Sequence, residues 1–151
     1  MEKPGGCQLH KVGGMELTLA NVYLYVDDHE KALGFYRDAL GLEIRQDVSF
    51  GGMRWVSVGS TSQPGLQITL GSPFADPNTS AEDQQAIADL LAKGVLGVTI
   101  FATDDVDKTF EHIQASGAEV VQEPIDQHYG VRDCAFRDPA GNLIRFNQPK
   151  H

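Results

Sequence analysis

Asn21, Tyr23 and Tyr25 alternate along one short run, Gln67 and Thr69 along a second, and Arg145 and Asn147 along a third. Alternate residues of an extended strand share a side, so each run gathers its polar and aromatic groups on one face. Trp55 and Asp133 take the corresponding side of two further apolar runs, and Tyr129 lies in the turn Asp126-Gln127-His128-Tyr129-Gly130. Flat rings carrying hydroxyl or indole donors suit planar organic molecules. The side chains of Asn21, Gln67, Thr69 and Asn147 can orient such a molecule, and the Arg145 guanidinium can hold a carboxylate, phosphate or enolate oxygen. Arg145 has a competing use. A hairpin turning about residues 137–141 would set Asp133 opposite Arg145 and Ala135 opposite Leu143, making an internal ion pair.

Other chemistries leave no trace. There is no Gly-x-Ser-x-Gly elbow, phosphate loop or dinucleotide fingerprint. His10 and His151 lie at the ends, His29 and His112 fall on or beside helices, and His128 reads as a turn residue. Cys7 and Cys134 show neither a CxxC nor a zinc-ligand spacing, and no disulfide between them is expected.

The elements that must position these residues occur twice. Asn21-Val22-Tyr23-Leu24-Tyr25-Val26-Asp27-Asp28 and Val98-Thr99-Ile100-Phe101-Ala102-Thr103-Asp104-Asp105 are both a strand entering an acidic helix start, offset by 77 residues. Lys31 and Lys108 keep that offset, Gly41 matches Gly117 at 76, and Gly52-Met53-Arg54 matches Gly130-Val131-Arg132 at 78. Leu66-Gln67-Ile68 is aligned with Ile144-Arg145-Phe146 at 78 as well. Two copies make a duplicated module, not a solenoid. Each predicts a strand, an amphipathic helix closed by glycine, then three strands. The later strands are expected over 43–50, 54–59 and 66–70, and over 119–123, 132–137 and 142–148. Between the modules, the spacing predicts a helix over 81–93, capped by Ser80 and Gly94, with an apolar face of Ile87, Leu90 and Leu91.

This pattern, with Phe35-Tyr36-Arg37-Asp38-Ala39-Leu40-Gly41-Leu42 in the first half and Asp138-Pro139-Ala140-Gly141-Asn142-Leu143 near the end, resembles the vicinal-oxygen-chelate superfamily. That group includes glyoxalase I, extradiol dioxygenases, and the bleomycin and fosfomycin resistance proteins. The resemblance implies an α+β fold: two tandem βαβββ modules forming a curled mixed sheet around a cleft, with helices on the outer face. Module one is expected at about 17–70, the linker with its helix at about 71–94, and module two at about 95–149. Residues 15–151 then form one domain behind a flexible extension at 1–14. The mixed strand faces line the cleft, which the family often completes across a homodimer interface.

In metal-using members, the first residue of each module's opening strand and a residue of each last strand bind a divalent ion, typically through His and Glu. Carried over, those positions are Asn21, Gln67, Val98 and Arg145. Two amides, an alkyl group and a permanent cation make a poor ligand set, so neither a metal nor another cofactor is expected.

Composition sets the remaining expectations. With 12 basic and 21 acidic residues, the net charge is −9, which disfavours nucleic-acid and anionic-membrane partners and draws cations. No signal peptide or membrane-spanning run is evident, so a cytoplasmic location is expected. The sequence points to a metal-free homodimeric binder of an aromatic or cationic small organic molecule, of the resistance or sequestration kind. A glyoxalase- or dioxygenase-like enzyme and an interaction protein with a collapsed cleft stay open as alternatives.

Overall fold

The computed structural model describes residues 15–149; the extension expected at 1–14 lies outside them. Two four-stranded mixed sheets are present. In the first, β1 (Asn21–Tyr25), β4 (Gln67–Gly71), β3 (Met53–Gly59) and β2 (Glu43–Phe50) lie side by side in that order. In the second, β5 (Val98–Ala102), β8 (Leu143–Pro149), β7 (Val131–Arg137) and β6 (Glu119–Asp126) repeat it. β1 with β4 and β5 with β8 are parallel, and the other pairs are antiparallel. The sheets are curled and open, with helices on one side of each. The α+β duplication expected from the sequence is present, with two separate sheets in place of a continuous one.

Each helix starts where an acidic or hydroxyl side chain takes an orphan backbone N–H. Asp28 accepts from Lys31 N at 3.0 Å before α1 (His29–Leu33), Ser80 from Asp83 N at 3.1 Å before α2 (Ala81–Lys93), and Asp105 from Lys108 N at 3.1 Å before α3 (Val106–Ala115). The first helix holds a feature the periodicity did not reveal. After Leu33 it widens into a π-helical segment, Gly34–Ala39, with Leu40 N donating to Phe35 O at 2.9 Å. Module one carries one residue more than module two between its lysine (Lys31, Lys108) and its closing glycine (Gly41, Gly117). The π turn absorbs that residue while keeping Phe35 and Tyr36 buried.

One core joins the modules: Leu33, Tyr36, Val56, Val58 and Leu70 pack in the same cluster as Val106, Phe110, Ile113, Phe136 and Ile144. The Asp138–Asn142 motif locks them together. Asp138 Oδ1 accepts the backbone N–H groups of Ala140, Gly141 and Asn142 at 2.8–3.0 Å, closing the β7–β8 turn. Its Oδ2 accepts from Tyr36 Oη of module one at 2.6 Å and from Asn142 Nδ2 at 2.9 Å. Asn142 Nδ2 also donates to Tyr25 O at 2.7 Å. Burial, then the Asp138 charge and hydrogen bond, push the Tyr36 phenol well above its ordinary range, so it stays a donor. The turn docks beneath α2, where a Cβ on Gly141 (φ +115°) would come within 2.5 Å of Leu91 O. Leu91 is the buried residue of α2, whereas Leu90, expected on the inner face, is 40 % exposed.

Two registers differ from expectation. Asp133 pairs with Asn147 and Ala135 with Arg145, a two-residue shift from the hairpin drawn from sequence, because the turn spans Asp138 to Asn142. Val58 pairs with Ile68 while Phe136 pairs with Ile144. Since β3 and β7 correspond at an offset of 78, Ile68 corresponds to Ile144 at 76, and the 78-residue match for the last strands does not hold. Extra residues in the β3–β4 turn had hidden this. Arg145 is therefore the counterpart of Thr69, and Gln67 of Leu143.

Candidate ligand-binding site

The faces turned away from the helices carry the sequence-nominated residues in two clusters. On the first sheet, Asn21 lies beside Gln67, Tyr23 beside Thr69, and Ser57 across from Thr69. Thr69 Oγ1 donates to Asn21 Oδ1 at 3.0 Å, and Ser57 Oγ to Gln67 Oε1 at 2.7 Å. These bonds fix the floor's hydroxyls and amide oxygens while the aromatics stand free: Tyr23 is 72 % and Tyr25 40 % exposed, and Trp55 is half-buried. Thr69 itself is buried, so it shapes the floor and orients Asn21.

Sequence reasoning missed Val48 and Phe50. Val48 pairs with Trp55 and so shares its face, with Phe50 two residues on; they are 53 % and 79 % exposed. A β-bulge between Ile44 and Gln46 inverts the strand's alternation, so counting parity from its start gives the wrong face. The same bulge recurs between Val120 and Gln122 and brings Gln122 onto the second face; a further register shift between Gln122 and Ile125 sets Ile125 there as well.

On that second sheet Arg145 is part of a network. Its Nη1 donates to Gln122 Oε1 at 3.0 Å and lies 3.4 Å from Asp133 Oδ2. Asp133 is fully buried and also accepts from Gln122 Nε2 at 2.8 Å, Gln127 Nε2 at 3.0 Å and Tyr129 Oη at 3.4 Å. Burial alone would raise its pKa, but the hydrogen bonds from Gln127 and Gln122 and the Arg145 charge together hold it below the ordinary carboxylate value. The internal pair foreseen from sequence thus forms, diagonally across the ladder. Arg145 keeps about a quarter of its side chain accessible (23 %), and Asp133 lies beneath it. Tyr129 is 62 % exposed. Asn147 has a buried Oδ1 without a hydrogen-bond partner among the described residues. Val98 and Ile100 complete the face at 49 % and 54 % exposure.

The two clusters share no hydrogen bond or ion pair among the described residues. Each is a candidate half-site: aromatic on the first sheet, cationic and amide-bearing on the second. By register the last-strand metal positions of the resembled fold are a matched pair beside Asn21 and Val98, either Thr69 with Arg145 or Gln67 with Leu143. The second pair adds only an amide and an alkyl group, and the first gives Asn21, Thr69, Val98 and Arg145. An amide, a buried hydroxyl, an alkyl group and a guanidinium do not fit a divalent ion. Among the described residues, no three His, Cys, Asp or Glu side chains converge into a metal-binding group. Cys134 is buried, and burial with the neighbouring Asp133 charge pushes its thiol up to about 11, so it is an unreactive core residue.

Comparisons with known proteins place this arrangement. UcmS2, a protein of known crystal structure, is 33 % identical over 88 % of this chain and 98 % of its own, with a TM-score of 0.79. TnmS3, an antibiotic binding protein from Streptomyces sp. CB03234, is 26 % identical over 89 % of this chain and 98 % of its own, with a TM-score of 0.68. The uncharacterized protein YurT of Bacillus subtilis (strain 168) is 29 % identical over 83 % of this chain and 94 % of its own. The family profile described as Glyoxalase/Bleomycin resistance protein/Dioxygenase superfamily matches residues 18–146. This chain belongs to that superfamily.

Proposed function

We propose that the protein is a metal-independent binder that sequesters an aromatic small molecule between the two kinds of half-site. The observation that carries this reading is the first sheet's free aromatic face: Tyr23, Tyr25, Val48, Phe50 and Trp55 are held in register above a floor in which Thr69 and Ser57 donate to Asn21 and Gln67. Exposed apolar patches on that scale mark binding surfaces. Similarity to an antibiotic binding protein supports the ligand class. The net charge of −9 favours compounds that also carry a cation away from Arg145. Catalysis finds less support, because the ionisable pair on the second sheet's face, Arg145 with Asp133, is committed to internal bonds.

Trp55 is the sole tryptophan, so its emission reports on the site. Titration with a panel of aromatic antibiotics, bleomycin included, should give at least one compound that quenches Trp55 saturably, unchanged by excess chelator. Tyr23→Ala should weaken that binding about tenfold, in line with about 1–1.5 kcal/mol for an aromatic pair. Loss of binding on chelation would overturn the metal-independent reading.

The site is completed, in this reading, by a second copy of the chain. The clusters lie on separate open sheets, and among the described residues β1 and β5 are five-residue edge strands with one side unpaired. A homodimer can bring the aromatic face of one protomer over the Arg145 face of the other. Sedimentation equilibrium at tens of micromolar should give the mass of two chains, and Ile100→Lys should shift it toward one. A monomer in the wild type would count against a shared cleft.

A further inference from the structure

The internal duplication builds two junctions between the modules, and only one of them is filled. At the first, Tyr36 reaches the opening residue of the β7–β8 turn, Asp138, against a tight apolar wall of Val26, Ala32 and Phe35, all under 5 % exposed. At the second, the counterpart of Tyr36 is Ile113 and that of Asp138 is Ser60. Neither reaches the other. A cavity of about 390 Å³ stands between them, floored by Leu40, Leu42, Phe101, Ile113 and Phe146.

Its polar walls are also specific to the second copy. The counterparts of buried Val26, Ala32 and Phe35 are Thr103, Thr109 and His112, and all three line the cavity with Lys108. Thr103 and Thr109 bond to each other through their hydroxyls at 2.7 Å, and Thr103 Oγ1 also accepts from Asp105 N. One threonine proton is left to donate. The Ser60 wall is held in place, because Arg45 donates to Ser60 O at 2.8 Å, Pro64 O at 3.0 Å and Leu66 O at 3.3 Å. Solvation alone would explain polar residues on α3. It does not explain an apolar-floored hollow kept open beside them, since an unfilled hollow forfeits packing.

The geometry points to a second small-molecule site at this junction, separate from the open sheet faces, that takes a small organic carboxylate with an aryl or branched-alkyl body. Charge selects the anion. In a chain with 21 acidic and 12 basic residues, the ionisable lining is Lys108 and His112, with no Asp or Glu among the described residues there. The apolar floor takes the body of the ligand, and the threonine pair and Lys108 take the carboxylate.

The test uses 3-phenylpropionate and its uncharged amide on the full chain, by calorimetry and by ligand-observed NMR. The acid should bind and the amide should bind at least tenfold more weakly. Lys108→Gln with His112→Gln, both exposed positions, should weaken the acid tenfold or more without lowering the melting temperature. Ile113→Tyr with Ser60→Asp, which rebuilds the filled junction, should abolish binding; the Lys108/His112 variant decides the matter if this one does not fold. Trp55 emission should not respond, which separates this site from the sheet faces. Equal binding of acid and amide, full affinity in the Lys108/His112 variant, a Trp55 response, or no binding at millimolar acid would each overturn the proposal.

Discussion

Asp138→Ala should destabilise the protein by about 3–5 kcal/mol. Three effects add. The β7–β8 turn loses the acceptor for the N–H groups of Ala140, Gly141 and Asn142; the buried Tyr36 hydroxyl is stranded; and Asn142 loses one of the bonds that aim it at Tyr25 O. Hydrogen bonds to a charged group are each worth roughly 1.5–3 kcal/mol, and a stranded buried hydroxyl costs about 1–3 more; partial relaxation of the turn keeps the total below their sum. For a chain of this length the melting temperature should fall by on the order of 10 °C. Tyr36→Phe, which removes only the Tyr36–Asp138 bond and leaves Asn142 on Tyr25 O, should cost about 1–2 kcal/mol. Calorimetric melting of the wild type and the two variants checks both figures. A shift of under 2 °C for Asp138→Ala would show that the motif does not join the modules.

That motif illustrates what the sequence made legible. The duplication, the order of strand, helix and three strands, and the helix at 81–93 follow from periodicity and capping residues, which act locally. The faces of β1, β3, β4, β7 and β8 follow from simple alternation, and with them Tyr23, Trp55, Thr69 and Arg145. Bulged strands break the rule. One extra residue near Arg45 and another near Val121 reverse the parity of β2 and β6, concealing Val48, Phe50 and Gln122, and a second shift in β6 restores the parity before Ile125. The hairpin register could not be read either. It depends on how many residues the Asp138 carboxylate gathers into its turn, a side-chain effect that strand patterns do not encode. The hollow second junction is legible only once both copies are superposed in space, since Ile113 and Ser60 are ordinary residues in a linear reading. The assignment of the last-strand positions shows the reverse risk. Sequence matching placed Gln67 against Arg145, and two residues added in the β3–β4 turn were enough to make that equivalence false.

Arg145→Ala separates two roles that the network leaves open to the same side chain. If Arg145 chiefly neutralises Asp133, its removal should cost about 1–3 kcal/mol of stability. That is less than for an isolated buried pair, because Gln122, Gln127 and Tyr129 still donate to the carboxylate. The pH dependence gives an independent reading. Asp133 is held below its ordinary value, so its ionised form contributes stability that is fully present above the unfolded-state value of about 4 and lost as pH falls through the lower folded-state value. Removing the Arg145 charge raises the folded-state value toward the unfolded one and narrows that window. The wild type should therefore lose stability below about pH 4 more steeply than Arg145→Ala. Asp133→Asn combined with Arg145→Ala should flatten the acid limb and recover part of the loss, since no buried charge is left unpaired. If Arg145 instead grips an anionic oxygen of the ligand through its accessible edge, affinity for the compound that quenches Trp55 should drop about ten- to a hundredfold, and the double variant should not restore it. Melting curves between pH 2.5 and 7, with calorimetric titration at pH 7, place the side chain in one role or the other. Unchanged stability together with unchanged affinity would remove Arg145 from the functional site altogether.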